Sequence, residues 1–353
     1  MNCDIMFYKS GGWLMKTAIV KDDRFIKHSA GDYHPESPDR LIAIYKKIEP
    51  LSEKLSLIKT REAKREELLE VHSERYIELI EKLRGRDFSL DADTSGNSYS
   101  AEAAFLAAGS SVDIATAIMK GAFDNGFALI RPPGHHAENS RAMGFCIFNN
   151  IAIAAANLIR NGLAMRVLIV DWDIHHGNGT QRAFYGRDDI LYFSTHLYPY
   201  YPGTGYFDES GEGKGVGYTI NAPLTSHKGD DDFLYIFKEL LSTVCERFAP
   251  DIILISAGYD IYYKDPLGSM RVTEEGFFRF TEFFKHLANK YCNNRLCLFL
   301  EGGYNIEGLA NSVYRTIESL LSDKITITDN IKPSDETVKI VERVRSINPF
   351  FKK

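Results

Sequence analysis

The sequence predicts an α/β fold in which helices cover both faces of a mainly parallel central sheet. From about residue 127 onward, short apolar runs typical of buried strands alternate with longer segments of helical periodicity. Such alternation is typical of right-handed β-α-β units. The second observation is that unusual polar clusters follow the apolar runs, because open α/β sheets bind ligands at the carboxyl ends of their strands.

The predicted elements follow in chain order. Met15–Val20 begins the first strand, and the alanine-rich segment Ala101–Lys120 predicts a long helix packed on the sheet. Five further strands are predicted at Phe127–Ile130, Val167–Val170, Ile190–Phe193, Ile252–Ile255 and Cys297–Leu300. Further helices are predicted at Asn150–Arg160, Asp231–Phe248, Glu274–Tyr291 and Ile306–Leu321.

The 353 residues are predicted to form an N-terminal extension, residues 1–14, and a single domain, residues 15–353. The net charge of −6 provides no global positive field for nucleic acid or an anionic membrane. No continuous apolar run approaches the roughly 20 residues of a membrane span. The five cysteines are scattered and form no CxxC motif, which favours a reducing compartment, and we expect a cytoplasmic protein. The oligomeric state stays open.

Two carboxylates and two imidazoles follow the buried strand Val167–Val170, within the segment Asp171–Thr180. Unpaired buried charge is costly, and a metal ion bound by carboxylate oxygens and imidazole nitrogens compensates it. Asp173 and His175 are two residues apart and therefore lie on the same side of an extended backbone. A surface loop that happens to be rich in Asp and His is the alternative interpretation.

A catalytic metal with an open coordination position needs a third protein ligand, and Asp260 is the predicted one. It ends the apolar run Asp251–Ser256 through the flexible turn Ala257-Gly258. A cap on the following turn is the alternative role for Asp260. Asp265, which precedes Pro266, is predicted to serve in a turn.

Two anionic ligands lower the Lewis acidity of a metal, so its water needs a protein base. His135 and His136, held in the stiff Pro-Pro-Gly loop after Phe127–Ile130, are predicted to supply it. Tyr304 follows Gly302-Gly303 and could donate its proton to the oxyanion formed during attack on a carbonyl. These groups suit amide hydrolysis. The alternative interpretations are that the His-His pair is incidental and that the tyrosine only packs in a turn.

The motifs R-P-P-G-H-H-A (131–137), G-F-C-I-F-N-N (144–150), D-W-D-I-H-H-G-N-G-T (171–180) and L-E-G-G-Y-N (300–305) resemble those of the zinc-dependent histone deacetylase family. With H-P-E-S-P-D-R-L (34–41) and S-A-G-Y-D…D-P-L-G (256–268), the resemblance is closest to the class II branch and its bacterial amidohydrolase relatives. The acetylpolyamine amidohydrolases are also related. It covers about residues 17–322 and implies the arginase/deacetylase-type fold.

The resemblance implies a role for each matching residue. The zinc ligands would be Asp173, His175 and Asp260, with Fe²⁺ as an alternative metal. His136 matches the residue that acts as general base and then as general acid, and His135 matches its electrostatic partner. Asp171 and Asn178 match the residues that hydrogen-bond to the two histidine side chains. Tyr304 matches the residue that polarises the carbonyl. The amide of Asn178 is neutral, as in class II. Some class II members carry His in place of the tyrosine and are weak deacetylases, whereas this chain keeps Tyr304.

Structural K⁺ and a substrate tunnel are also implied. One K⁺ site would use Asp171, Ser194 and the backbone of Asp173, His175 and Thr195. The second K⁺ site would use the backbone of Phe184, Arg187, Ile190 and Tyr218. The tunnel walls would be Phe145, after Gly144, and Tyr201, where most deacetylases have Phe, so the preferred acyl chain stays open. The stretch Tyr198–Gly217 is predicted to line the mouth, and an Asp within Leu90–Thr94 is a candidate to bind the substrate backbone.

The predicted function is removal of acetyl groups from the lysine Nε atom of proteins or peptides. Leu267 stands where a polyamine-deacetylating relative has Glu, which favours acetyl-lysine over acetylpolyamine. Deacetylation of acetylpolyamine or another small acetylated amine is the first alternative. A manganese ureohydrolase of arginase type would share the sheet but would need a second set of metal carboxylates, and Ser256–Pro266 offers only one well-placed Asp. A catalytically silent acyl-lysine-binding scaffold is the alternative from another class, and the intact Tyr304, His135 and His136 argue against it.

Overall fold

The central sheet consists of eight parallel strands in the computed structural model, which describes residues 15–325 and 330–352. The strands in the described residues are β1 (Thr17–Val20), β2 (Leu55–Leu57), β3 (Phe88–Ser89), β4 (Ser95–Gly96), β5 (Asn125–Ala128), β6 (Val167–Asp171), β7 (Ile190–Leu197), β8 (Thr219–Leu224), β9 (Ile252–Ala257) and β10 (Leu296–Leu300). The sheet order is β2-β1-β5-β10-β9-β6-β7-β8, and β3 pairs with β4 in a separate antiparallel ladder. The predicted α/β fold with a parallel sheet is confirmed.

Helices flank both faces of this sheet. The α-helices described are α1 (Asp39–Ile48), α2 (Arg65–Leu68), α3 (Glu74–Lys82), α4 (Ser100–Met119), α5 (Asn150–Arg160), α6 (Asn178–Phe184), α7 (Asp230–Ile236), α8 (Ser242–Phe248), α9 (Glu274–Tyr291), α10 (Ile306–Leu321) and α11 (Asp335–Ile347). α4 packs against α5, while α10 packs against α9 and α1. Side chains that accept backbone N–H groups begin several helices, as Thr273 does for α9 and Asn305 for α10.

The predicted elements correspond to observed ones, with several differences in their bounds. β5 begins and ends two residues earlier than predicted, because the apolar run continues after the chain leaves the ladder toward Pro132. β7 extends to Leu197, so Ser194-Thr-His196 lies within the strand and not after it. A π-helical turn at Phe237–Leu241 interrupts the helix predicted over Asp231–Phe248. Residues 1–14, the predicted extension, lie outside the described residues.

Among the described residues, α4 is long and apolar enough to cross a membrane by length and composition. Glu102 and Asp113 interrupt its sequence, which is why no continuous apolar run is seen there. However, 78% of its apolar window is buried inside the protein. Helices in the core of globular folds pass the same test, so α4 is explained by its packing against α5 and β5.

A buried ionic cluster ties the N-terminal part of the chain to the end of β10. The Glu36 carboxylate accepts hydrogen bonds from Arg40 (3.0 Å) and Arg131 (2.7 Å), and it lies 3.1 Å from His28 Nε2. Although burial opposes its ionisation, Arg131 and His28 hold the pKa of Glu36 well below its ordinary value. Arg40 also donates to the carbonyl of Gly303 at 2.7 Å. The cluster therefore fixes α1 to the segment that carries Tyr304.

We expect Glu36→Gln to lower the free energy of unfolding by about 3–5 kcal/mol, because it leaves two buried guanidinium groups without a counter-charge. Equilibrium unfolding in urea measures this loss. Glu62→Gln is the matched control, since Glu62 pairs with Arg84 at the surface and such pairs contribute about 0–1 kcal/mol. Equal, small losses for the two variants would contradict the assigned importance of the cluster.

Candidate active site

The parallel sheet brings the predicted polar residues to one edge. Asp171, the last residue of β6, is in register with Ser194 of β7 and with Ser256 of β9. The loops that follow β6, β9 and β10 therefore start side by side, and the loop after β5 joins them because β5 neighbours β10. Ligand sites of open α/β sheets lie at this carboxyl edge.

The three predicted metal ligands meet at this edge. The potential ligand atoms of Asp173, His175 and Asp260 all lie within 4.8 Å of one another. His175 Nδ1 lies 3.1 Å from Asp173 Oδ1 and 3.2 Å from Asp260 Oδ2. Ligand atoms of one tetrahedral zinc ion, each bound at about 2.0 Å, are separated by about 3.3 Å. The donor set and its spacing therefore fit a divalent cation.

The charges of the two aspartates support the same assignment. Both side chains are fully buried. Burial and the neighbouring Asp173 raise the pKa of Asp260 to about 8, whereas His135 and His175 lower the pKa of Asp173 despite its burial. Two adjacent buried carboxylates resist carrying two charges. A divalent cation would compensate both.

Backbone groups orient the aspartates from both sides. The N–H of Gly302 donates to Asp173 Oδ2 at 2.9 Å, and the N–H of Ile174 donates to Asp260 Oδ1 at 2.9 Å. A Cβ atom at residue 302 would overlap the carboxylate oxygens of Asp173 and Asp260. Glycine at this position therefore lets the segment that carries Tyr304 approach the metal ligands.

The adjacent histidines have different partners. His135 Nδ1 lies 3.0 Å from Asp171 Oδ2, and His136 Nδ1 lies 2.8 Å from Asn178 Oδ1. Burial disfavours a charged His135, but Asp171 and Asp173 outweigh it and raise its pKa to about 10. Burial and the charge of His135 lower the pKa of His136 well below its ordinary value. These surroundings favour a cationic His135 and a neutral His136.

Tyr304 faces the same space with its phenol protonated. Burial raises the pKa of Tyr304 well above its ordinary value. Its ring packs edge-on against Phe145 at a centroid distance of 5.9 Å, and the Arg40 guanidinium lies 5.2 Å from its centroid. The Tyr304 N–H donates to Asp265 Oδ2 at 2.6 Å. The phenol is therefore a fixed hydrogen-bond donor.

A narrow cavity of about 90 Å³ gives access to these groups. The lining residues are Asp93, Pro133, His135, His136, Gly144, Phe145, His175, Tyr201, Leu267, Gly302 and Tyr304. The predicted tunnel residues Gly144, Phe145, Tyr201 and Leu267 are all among them. Asp93 is the aspartate of Leu90–Thr94 that reaches the cavity, and it accepts the N–H of Gly144 at 3.2 Å.

The residues of the two predicted K⁺ sites lie near β6, β7 and β8. Asp171 and Ser194 are register partners, and Thr195 Oγ1 donates to the Asp171 carbonyl at 3.4 Å. The second set surrounds the start of β7, which begins at Ile190. There the carbonyl of Phe184 accepts the N–H of Arg187, and the carbonyl of Tyr218 accepts the N–H of Tyr192.

Sequence reasoning missed three carboxylates that support the site. Asp265 serves in a turn as predicted, accepting the Leu267 N–H at 2.9 Å, but it also holds Tyr304. Glu301 is buried and accepts the N–H groups of Gly134 (2.7 Å) and His135 (3.1 Å). Glu138 accepts from Asn178 Nδ2 at 2.8 Å. Each lies within or beside a quoted motif, which is the signal that could have found it.

Comparison with known proteins agrees with this geometry. Residues 34–320 match the family model described as the histone deacetylase domain. A probable deacetylase of Archaeoglobus fulgidus is 40% identical over 298 residues, which cover 83% of each chain. Histone deacetylase 15 of Arabidopsis thaliana is 40% identical over 319 residues, but these span 87% of this chain and 57% of the plant protein.

A solved structure agrees as well. The crystal structure of the HDA15 HD domain superposes with a TM-score of 0.88 at 38% identity, over 95% of this chain and 94% of that one. Relatives described as deacetylases support a deacetylase activity, and the group Asp173, His175 and Asp260 supports metal dependence. The match over residues 34–320 and these relatives show that the chain belongs to the histone deacetylase family.

Proposed function

We propose that this protein is a zinc-dependent amidohydrolase that removes acetyl groups from the Nε atom of lysine. One observation carries the proposal. The candidate metal ligand His175, a neutral histidine, a cationic histidine and a protonated tyrosine all line one narrow cavity. The other two candidate ligands, Asp173 and Asp260, lie within 3.2 Å of His175. Attack of water on an amide carbonyl needs a Lewis acid, a base, an oxyanion partner and an acid for the amine, and this set supplies them.

The residues of the site divide the steps of the reaction between them. Asp173, His175 and Asp260 would hold the cation, which supplies Lewis acidity and lowers the pKa of the attacking water. His136 accepts the water proton at Nε2, while Asn178 holds its other ring nitrogen. The Tyr304 hydroxyl donates to the carbonyl oxygen as it becomes negative.

Breakdown of the tetrahedral species needs a proton on the leaving amine. His136 gives this nitrogen the proton that it took from water, so the histidine ends the cycle neutral. His135, paired with Asp171, places a positive charge 4.0 Å from the His136 ring, measured between ring centroids. This charge opposes a doubly charged histidine pair and therefore promotes the return of the proton.

The cavity lining supports an acyl-lysine substrate. Phe145 and Tyr201 offer aromatic faces to a methylene chain, and Leu267 adds a neutral apolar wall. Asp93 gives the small-amine alternative a specific basis, because a carboxylate on the lining would attract a cationic polyamine. We also propose that K⁺ binds at the two sets around Asp171 and Ile190, that Fe²⁺ can replace Zn²⁺, and that the protein acts in the cytoplasm.

Tyr304→Phe should reduce kcat for an acetyl-lysine peptide by about 10²–10³, because the oxyanion loses its phenolic donor. Bound zinc, measured by elemental analysis, should not change, since Tyr304 is not among the ligands. Release of free amine is the measurement, and Tyr99→Phe, at an exposed position that does not line the cavity, is the control. An active Tyr304→Phe variant would rule out the assigned role.

Removal of metal should destabilise the protein, because it leaves Asp173 and Asp260 buried beside each other. Zinc at a hundred times its Kd should raise the free energy of unfolding by about 2.7 kcal/mol over the chelated protein. Calorimetry with and without chelator tests this. His175→Ala should lose the zinc-dependent gain, and His286→Ala, at an exposed position on α9, should keep it. If zinc still raised the free energy of unfolding of His175→Ala, the zinc would have to bind at another site.

Leu267→Glu should shift selectivity toward acetylpolyamines, because it adds negative charge to the lining that already contains Asp93. We expect the ratio of kcat/KM for an N-acetylpolyamine to that for an acetyl-lysine peptide to rise by at least about tenfold, which corresponds to about 1.4 kcal/mol. Leu267→Gln controls for shape and polarity. The argument from Leu267 fails if both variants change the ratio equally.

A further inference from the structure

We propose that Glu138 is a positioning residue that fixes the tautomer of His136 through Asn178. The inference rests on the proposed role of His136 as the general base, and it adds a third member to the His136–Asn178 pair. Glu138 does not line the cavity that His136, His175 and Tyr304 line. It can therefore act on the reaction only through the residues that it contacts.

The three side chains form a chain of two hydrogen bonds. His136 Nδ1 lies 2.8 Å from Asn178 Oδ1, and Asn178 Nδ2 donates to Glu138 Oε1 at 2.8 Å. His136 and Asn178 are each 3% exposed, and the Glu138 side chain is 13% exposed. The chain therefore runs from the cavity to just beneath the surface and is shielded from solvent at its inner end.

The orientation of the Asn178 amide follows from its surroundings. A carboxylate only accepts hydrogen bonds, so the NH₂ group of Asn178 must face Glu138. The other groups near Asn178 Nδ2 are the His136 carbonyl oxygen (3.5 Å) and Met143 Sδ (3.3 Å), which are acceptors too. All three neighbours favour the same orientation, and it turns Oδ1 toward His136.

This orientation decides which nitrogen of His136 carries the proton. Oδ1 of an amide accepts only, so His136 must present Nδ1–H to it. Nε2 of the neutral ring then carries the lone pair that a general base needs. A reversed amide would place NH₂ against Nδ1 and favour the tautomer with hydrogen on Nε2, which cannot accept a proton from water.

Glu138 is held in place as a carboxylate. Arg141 Nη2 lies 3.2 Å from Oε2, and Arg182 Nε lies 3.2 Å from Oε1. The backbone is fixed as well, since the Glu138 N–H donates to the Arg141 carbonyl at 2.9 Å and the Glu138 carbonyl lies 2.9 Å from His72 Nδ1. Its negative charge also polarises the Asn178 amide and so strengthens the bond to His136.

The first test replaces the carboxylate by an amide of the same shape. Gln at position 138 can donate as well as accept, so the two amides can reverse together. In Glu138→Gln we expect kcat to fall about tenfold with KM unchanged. We also expect ¹⁵N NMR of histidine-labelled protein, zinc-loaded and zinc-free, to show the His136 signals shift from the Nδ1–H form toward a mixture. His136→Gln assigns the signals.

Glu70→Gln is the matched control. Glu70 and Glu138 line the same cleft at the surface, but Glu70 pairs with Arg160 and does not contact Asn178. It should change neither kcat nor the tautomer signal. A pure Nδ1–H signal in Glu138→Gln would overturn the proposal even if activity fell. If the wild-type protein lacked deacetylase activity, the proposed function would fail, while the NMR comparison would still decide the role of Glu138.

A second test uses Asn178→Asp, since a carboxylate accepts at either oxygen and needs no outside partner to orient it. In that background Glu138 faces a like charge, and Glu138→Gln supplies a donor instead. We therefore expect Glu138→Gln to lower kcat in the wild type and to raise it in Asn178→Asp. Equal losses in both backgrounds would show that Glu138 serves only to stabilise the fold, and would overturn the proposal.

Discussion

The structure depends on how it compensates several carboxylates that are buried at one edge of the sheet. Asp171, Asp173, Asp260 and Glu301 are at most 1% exposed, and charges so far from water are costly unless they are paired. His135 compensates Asp171, and backbone N–H groups support Glu301. Asp173 and Asp260 then still need a cation beyond His175. The grouping of Asp173, His175 and Asp260 as a candidate metal site, the raised pKa of His135 and the close approach of Gly302 are all consistent with this concentration of carboxylates.

Buried ionic groups also hold the loop that carries Tyr304. The backbone from Glu301 to Asn305 is held by side chains from distant parts of the chain: Arg40 binds the carbonyls of Glu301 and Gly303, and Asp265 binds the N–H groups of Tyr304 and Asn305. Arg40 is in turn neutralised by Glu36. Ionic groups remote from the cavity therefore set the position of the phenol, so a substitution on α1 can affect activity without touching substrate.

How much the sequence could predict depends on whether the signal is local. Hydrophobic runs made the four strands that precede the main motifs predictable. Residue type and position after a strand did the same for Asp173, His175 and Asp260. β8 was missed because Asn221 and Pro223 interrupt its apolar pattern, as an edge strand permits. The motifs could have singled out Glu138, Asp265 and Glu301, but not the partners of these carboxylates, which lie about 40 to 170 residues away along the chain. Only the folded chain shows such pairs.

Two adjacent histidines can carry different protons because their partners differ in charge and in symmetry. The carboxylate of Asp171 favours a cation on His135 and accepts at either oxygen, so its orientation needs no further control. The amide of Asn178 adds no charge, which helps to keep His136 neutral, but an amide accepts on one side only. The neutral amide therefore leaves His136 uncharged, but the amide itself can take two orientations. An acceptor beyond the amide removes that ambiguity, and it must be an obligate acceptor, as the Glu138 carboxylate is. Where an amide replaces a charged partner, the residue that fixes the tautomer of the base therefore lies one residue further from the reacting atoms.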